Sequence, residues 1–321
     1  MKAAVIKKAG KAPVFADFED PVPKVDEELI VVSASALSYV TKSRASGAHH
    51  TAPSSLPAVA GIDGVGRTRD GRRVYFVLPE EPFGGLAEKV AVSMDRCIAL
   101  PAEVDDVTAA AIAIPGMSSW AAFKERAHLV AGENVLINGA TGTSGRLAVQ
   151  IAKYLGARRV IATGRNVSAL EQVKALGADV TISLNQSPEE LETAFKEQVG
   201  GEGVDVVLDY LWGPSAEILI RAAARAGKDA VPIRFVQIGA VSGGNIVLPS
   251  AALRSSALVL MGSGIGSISP RGLVGAIGGV LQAVTPGQLK IETKVVPLAE
   301  VEVTWNRESG NSRVVFAMRQ D

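Results

Sequence analysis

The stretch from Val135 to Gly156 limits this chain more than any other. It opens on a short apolar run, Val135 to Ile137, of the kind that fills a buried parallel strand. Glycines follow at positions 139, 142 and 145, and then Leu147, Ala148, Ile151, Ala152 and Leu155 recur at helical spacing. A strand, a tight glycine turn and a helix make a dinucleotide-binding unit, in which the free N–H groups and the positive end of the helix receive a pyrophosphate. A side chain at Gly142 or Gly145 would hold the backbone away from the phosphate or from the strand. The turn residues Ala140, Thr141, Gly142, Thr143, Ser144 and Gly145 are therefore candidate cofactor contacts.

A second strand is expected over Arg159–Arg165. Its end falls about 20 residues beyond the glycine turn, where the residue that reads the ribose belongs. NAD-preferring sites place Asp or Glu there; this chain has Gly164, Arg165 and Asn166, and no acid between Val160 and Val167. A guanidinium pairs with a 2′-phosphate, whereas a carboxylate repels it. The expected cofactor is NADP(H), the alternative for Arg165 being an ordinary solvated charge.

The chain has 321 residues, which favours two domains. Lys+Arg and Asp+Glu both number 33, a balance that argues against a nucleic-acid surface. One cysteine, Cys97, excludes an internal disulfide framework and a cysteine-rich zinc site. No apolar run approaches the ~20 residues of a membrane span, and no signal region opens the chain, so a cytoplasmic protein without membrane partners is expected.

Residues 1–115 read as short strands with glycine turns, a β-barrel-like pattern, with a loop or short helix over Ala36–Gly47. Val107–Ala113 reads as helical, and Pro115 leads into a further helix ending near Gly132. From Asn134 strands and helices alternate, as in a doubly wound parallel sheet. Short β runs return at Glu292–Pro297 and Val314–Ala317. The expected division is 1–115, 116–288 and 289–321, the last part rejoining the first.

This order resembles the medium-chain dehydrogenase/reductase superfamily, and within it the zinc-free quinone oxidoreductase branch. The resemblance is carried by Pro57–Gly66, Gly84–Glu88, Gly132–Gly145, Ala148–Lys153, Leu176–Asp179 and Val204–Asp209. It implies an α/β protein with a GroES-like β-rich catalytic domain and a Rossmann domain, and a homodimer paired through the apolar edge at Asn245–Met261. It implies hydride transfer from NADPH to a small-molecule acceptor, a quinone or an α,β-unsaturated carbonyl. Two other readings stay open: a zinc-free alcohol dehydrogenase or carbonyl reductase, and a non-catalytic NADPH-binding, crystallin-like or redox-sensing protein.

Ser38 stands where zinc-using relatives keep their first cysteine, and no metal is expected. His49 and His50 are adjacent in a Gly/Ser/Pro-rich loop, where neighbouring side chains of an extended segment point apart. His128 needs only a helix-dipole contact. The Asn, Asp and Tyr that recur in quinone oxidoreductases match Ser38, Thr41 and Ser43 here. Catalytic candidates are thus Ser38, Ser43 and Tyr39, the last as a phenol or as a packed aromatic. Ser118 matches a threonine that faces the nicotinamide, and Gly239, Ala240, Ser263 and Gly264 match later strand ends that reach its ring. Arg313, in the return segment Gly310–Arg313, is either a cofactor contact or a strand charge. Asp63 reads as structural, and Trp212 as a pocket wall or as packing.

Overall fold

The computed structural model describes residues 1–49, 51–307, 310 and 312–318. His50 of the histidine pair and Asn311 of the return segment lie outside the described residues. In chain order the elements begin with β1 (Lys2–Ile6), β2 (Val14–Asp17), β3 (Glu27–Ala36), α1 (Tyr39–Ala45), β4 (Ala58–Val59), β5 (Asp63–Thr68), β6 (Arg73–Val77), β7 (Lys89–Ser93) and β8 (Cys97–Ala99). There follow α2 (Asp106–Ala121), β9 (Asn134–Asn138), α3 (Thr143–Tyr154), β10 (Arg159–Gly164), α4 (Val167–Ala175), β11 (Val180–Ser183), α5 (Pro188–Gly200), β12 (Val206–Asp209), α6 (Gly213–Ala226), β13 (Ile233–Gln237), α7 (Ser250–Arg254), β14 (Leu258–Gly262) and α8 (Pro270–Ala283). The chain closes with β15 (Thr293–Pro297), α9 (Val301–Thr304) and β16 (Arg313–Ala317).

Two compact units result. The first holds Met1–Ile114, Val280–Pro286 and Lys290–Asp321; the second holds Pro115–Gly279 and Gly287–Leu289. The chain returns to the first unit inside α8.

In the first unit, β2-β1-β4 form a three-stranded sheet. A seven-stranded sheet runs β15-β16-β3-β5-β6-β8, with β7 also paired to β3. β3 alternates inward Ile30, Val32 and Ala34 with the less buried Val31 and Ser33, the period of two that a half-buried strand requires. Ile30 and Val32 pack with Phe76, Leu86, Phe316 and Trp305 in one core.

In the second unit the strand order is β11-β10-β9-β12-β13-β14, all parallel. This is the 3-2-1-4-5-6 order of the dinucleotide-binding fold. β9 is buried along its whole length, and Leu136, Ile161, Val207 and Phe235 of the sheet pack with Phe195 and Leu219 of the helices. α5 starts on a capping box in which Ser187 Oγ accepts from Glu190 N at 3.2 Å and Glu190 Oε2 accepts from Ser187 N at 2.9 Å. β14 is the outermost strand, as the apolar 245–261 segment suggested.

One expectation changes. The two helices foreseen around Pro115 are a single helix, α2, with the proline inside it. Proline removes a backbone donor and usually breaks a helix. Here Ala109–Ala113 are fully buried, so packing holds the helical path. Ser118 Oγ donates to the Pro115 carbonyl at 2.8 Å and Ser119 Oγ to the Gly116 carbonyl at 3.0 Å.

Candidate active site

The parallel register brings the C-terminal ends of β9, β10, β12, β13 and β14 to one edge of the sheet, with the switch of direction between β9 and β12. Ligands bind at such a point in open α/β sheets. Gly139 leaves β9 with φ +92°, a backbone state that disfavours side chains. A Cβ at Gly145 would stand 2.3 Å from the Gly139 carbonyl oxygen, so helix and strand approach each other only over a glycine. Gly142 is different: a Cβ there meets nothing within 4 Å. It is the N-cap of α3 and, among the described residues, no side chain caps that helix end. Open space and an uncapped helix N-terminus fit a pyrophosphate.

Beneath the turn lies a buried polar network that sequence reasoning missed. Thr163 Oγ1 accepts from Gly139 N at 3.0 Å and donates to Asn138 Oδ1 at 2.7 Å. Asn138 Nδ2 donates to Asp209 Oδ1 at 2.9 Å and to Ser215 Oγ at 3.0 Å. Asp209 also accepts from the backbone N–H groups of Leu211 and Trp212. Burial pushes its carboxyl above the usual range, and these donors oppose that rise. The network holds the ends of β9, β10 and β12 together, so the turn is held in shape from below. These partners lie far apart in sequence, and no motif spacing announces them.

At the end of β10, Gly164 backs onto Thr141, Arg165 is exposed, and Asn166 caps α4 by accepting from Ala169 N at 3.0 Å. Asn185 Nδ2 holds the Arg165 carbonyl at 2.7 Å. Ser118 Oγ lies 3.3 Å from the Tyr210 hydroxyl. Tyr210, absent from the sequence-derived candidates, is buried, which pushes its phenol up to about 12. Gly239 N donates to the Asp209 carbonyl at 3.1 Å, and Ser263 N to the Gln237 carbonyl at 2.9 Å. Gly264 N donates to Ser267 Oγ at 2.8 Å. Ala240 lines an open recess of about 370 Å³ with Trp212, Phe235, Leu260 and Met261. Trp212 has φ +58°, rare for a bulky residue, and its side chain stands in the recess wall and against Phe235.

The remaining candidates belong to the first unit. Ser38 is the buried N-cap of α1: its Oγ accepts from Thr41 N at 2.8 Å and lies 2.8 Å from Thr41 Oγ1. Tyr39 is 85% exposed, and Ser43 sits one turn further along. Arg313 is turned inward beside Asp63 and Tyr75, not outward as a surface strand charge. Its Nε and Nη2 are buried and have no hydrogen-bond partner among the described residues. Asp63 is fully buried and accepts from Tyr75 Oη at 2.7 Å, in keeping with a structural role.

Among the described residues no group of three or more His, Cys, Asp or Glu is placed to hold an ion. His49 Nδ1 lies 2.9 Å from Thr51 Oγ1, and His128 Nδ1 lies 2.9 Å from the Lys124 carbonyl. Cys97 is half-buried, and burial pushes its thiol up to about 11.

Residues 145–277 match the family described as zinc-binding dehydrogenase. A probable NADPH-dependent quinone reductase of Emericella nidulans is 31% identical over 98% of this chain and 99% of its own length. The chain belongs to the quinone oxidoreductase branch of the medium-chain dehydrogenase/reductase superfamily. A 2-methylene-furan-3-one reductase of Solanum lycopersicum is 30% identical over 64% of the chain and 58% of that protein. The quinone oxidoreductase of Thermus thermophilus, whose structures include a complex with NADPH, superimposes with a TM-score of 0.80 at 28% identity, covering 99% of this chain and 100% of that one. The β-rich and parallel-sheet units are thus the GroES-like and Rossmann parts of that fold. The family description names zinc, and this branch member lacks a donor set for it among its described residues.

Proposed function

We propose that the protein is a metal-free, NADPH-dependent reductase that delivers hydride to a quinone or an α,β-unsaturated carbonyl. The observation that carries this reading is the uncapped start of α3 at Gly142, with an exposed guanidinium and no carboxylate at the end of β10. NADPH bound there supplies the hydride. The backbone N–H groups at Thr143 and Ser144 receive the pyrophosphate, and Arg165 receives the 2′-phosphate. Ser118, held by Tyr210, and the strand ends at Gly239–Ala240 and Ser263–Gly264 orient the nicotinamide. In the first unit, Tyr39 and Ser43 offer hydroxyls to the oxygen that gains charge as hydride arrives, and Ser38 positions α1. The 31% identical quinone reductase and the 30% identical enone reductase support both acceptor classes.

A homodimer is part of this reading. β14 is the outermost strand of its sheet, and Val241, Val247, Val259 and Ile265 around it are exposed. Exposed edges of this kind favour pairing. A cytoplasmic location is consistent with the described residues, in which no helix is long and apolar enough to cross a membrane.

The test is a paired titration of wild type and Arg165→Ala with NADPH and NADH, followed by oxidation of bound NADPH with 1,4-benzoquinone and a simple enone. Losing a charge-assisted contact of ~1.5–3 kcal/mol should weaken NADPH by about tenfold to a hundredfold and leave NADH unchanged. Equal losses for both nucleotides would overturn the phosphate assignment. Tight NADPH binding with no oxidation by either acceptor is the outcome expected of a non-catalytic binding protein.

A further inference from the structure

The first unit carries a cleft that the glycine turn does not account for. Tyr39, Lys42, Ser43 and Ser46 recur at the spacing of one face of α1 and, with Lys11 and Trp305, line a cavity of about 280 Å³. Small-molecule sites usually begin near ~300 Å³, so this one suits a compact ring system. Its walls suit the same kind of molecule. Trp305 is 5% exposed and belongs to the core beneath the cleft, while Tyr39, 85% exposed, is the aromatic face open to a ligand.

Charge is one-sided in the cleft. Among the described residues no carboxylate lines it. Lys42 is half-buried, and desolvation alone moves its ammonium below the usual lysine range, with no anion among the described residues acting to restore it. Several other lysines of the chain are paired, among them Lys24 with Glu80, Lys89 with Asp20 and Lys153 with Asp179. A partly desolvated cation without a counter-ion is costly, and an anion entering the cleft recovers that cost.

We propose that this cleft receives the anionic substituent of a ring-shaped acceptor, with the anion on Lys42 and the ring against Tyr39. The proposal rests on the reductase reading above and narrows its substrate class to acidic quinones or enones. A cofactor phosphate shares the same chemistry, and the experiment separates the two.

Wild type and Lys42→Gln are compared with 1,4-naphthoquinone and 1,4-naphthoquinone-2-sulfonate as acceptors. The ratio of kcat/KM for the sulfonate to that for the neutral parent should fall by about tenfold in the variant, the size of one charge-assisted contact. Titration calorimetry with naphthalene-2-sulfonate, which takes no hydride, reads the cleft apart from catalysis and should show binding to wild type that weakens by about tenfold in Lys42→Gln. An unchanged ratio, or equal naphthalenesulfonate binding by both proteins, overturns the proposal. A raised NADPH dissociation constant with an unchanged acceptor ratio gives Lys42 to the cofactor and overturns it too. Turnover of neither quinone, with Lys42-dependent naphthalenesulfonate binding intact, would sink the reductase reading and uphold the cleft as an anion site.

Discussion

Asp63 shows what a single buried carboxyl does to this protein. Its Oδ2 accepts from Tyr75 Oη, its Oδ1 has no hydrogen-bond partner among the described residues, and it is fully buried. Burial raises its pKa from 3.8 to about 6, against the opposing pull of the Tyr75 hydrogen bond and the Arg313 charge. The folded state therefore holds a proton that the unfolded chain has already released. The stability this contributes is complete below the unfolded pKa and is lost as pH rises through about 6. A shift of this size corresponds to roughly 3 kcal/mol. Denaturant unfolding of wild type should show that loss between about pH 4 and pH 6. Asp63→Asn keeps an oxygen for Tyr75 and removes the titration, so its curve should be flatter over the same range; an identical slope would clear Asp63 as the cause. That Asp63 is structural was readable from its place in the glycine-punctuated β segment. Its partner Arg313 was not, because the two meet only when β16 returns to the sheet that holds β5.

At the scale of elements, the β9–turn–α3 unit separates two jobs that its glycines perform. Gly145 allows contact with Gly139, and Gly142 leaves open space at the helix start. Gly142→Val should therefore fold with a near-native melting temperature and lose at least about tenfold in NADPH affinity, since a branched side chain fills the phosphate position. Gly145→Val should lose stability first, because its Cβ would stand 2.3 Å from a backbone oxygen. Thermal melts beside nucleotide titrations read both. Two variants that lose binding at the same melting temperature would show that the turn works as a phosphate site throughout and has no packing role. α1 teaches a related point. A serine at the family's first zinc-ligand position invites a chemical reading, yet Ser38 Oγ caps its own helix. Pattern alone does not distinguish an oxygen that caps from one that faces a substrate.

For the whole molecule, assembly is the property most exposed to test. β14 pairs with β13 on one side only among the described residues, and Val259 on it is 43% exposed. Light scattering should give a dimer for wild type and a monomer for Val259→Lys, since an edge lysine blocks strand pairing. A wild-type monomer would remove the dimer from the proposed function.

What the amino-acid sequence determined by itself is local. Apolar runs and helical spacing mark β9, β10, β12, α3, α5 and α6 within a few residues, because backbone period and side-chain burial are coupled over single elements. Glycine spacing and the absence of an acid before Val167 mark the candidate cofactor turn and the phosphate preference proposed for it, because both are read from neighbours along the chain. Only the tertiary structure decided which distant groups share an environment. It set Asn138, Thr163 and Asp209 beneath the turn, carried α2 through Pro115, buried Asp63 beside Arg313, and left Lys42 half-desolvated with no anion beside it among the described residues. Burial and field at a titratable group come from every element packed around it, and that sum is fixed by packing, not by spacing along the chain.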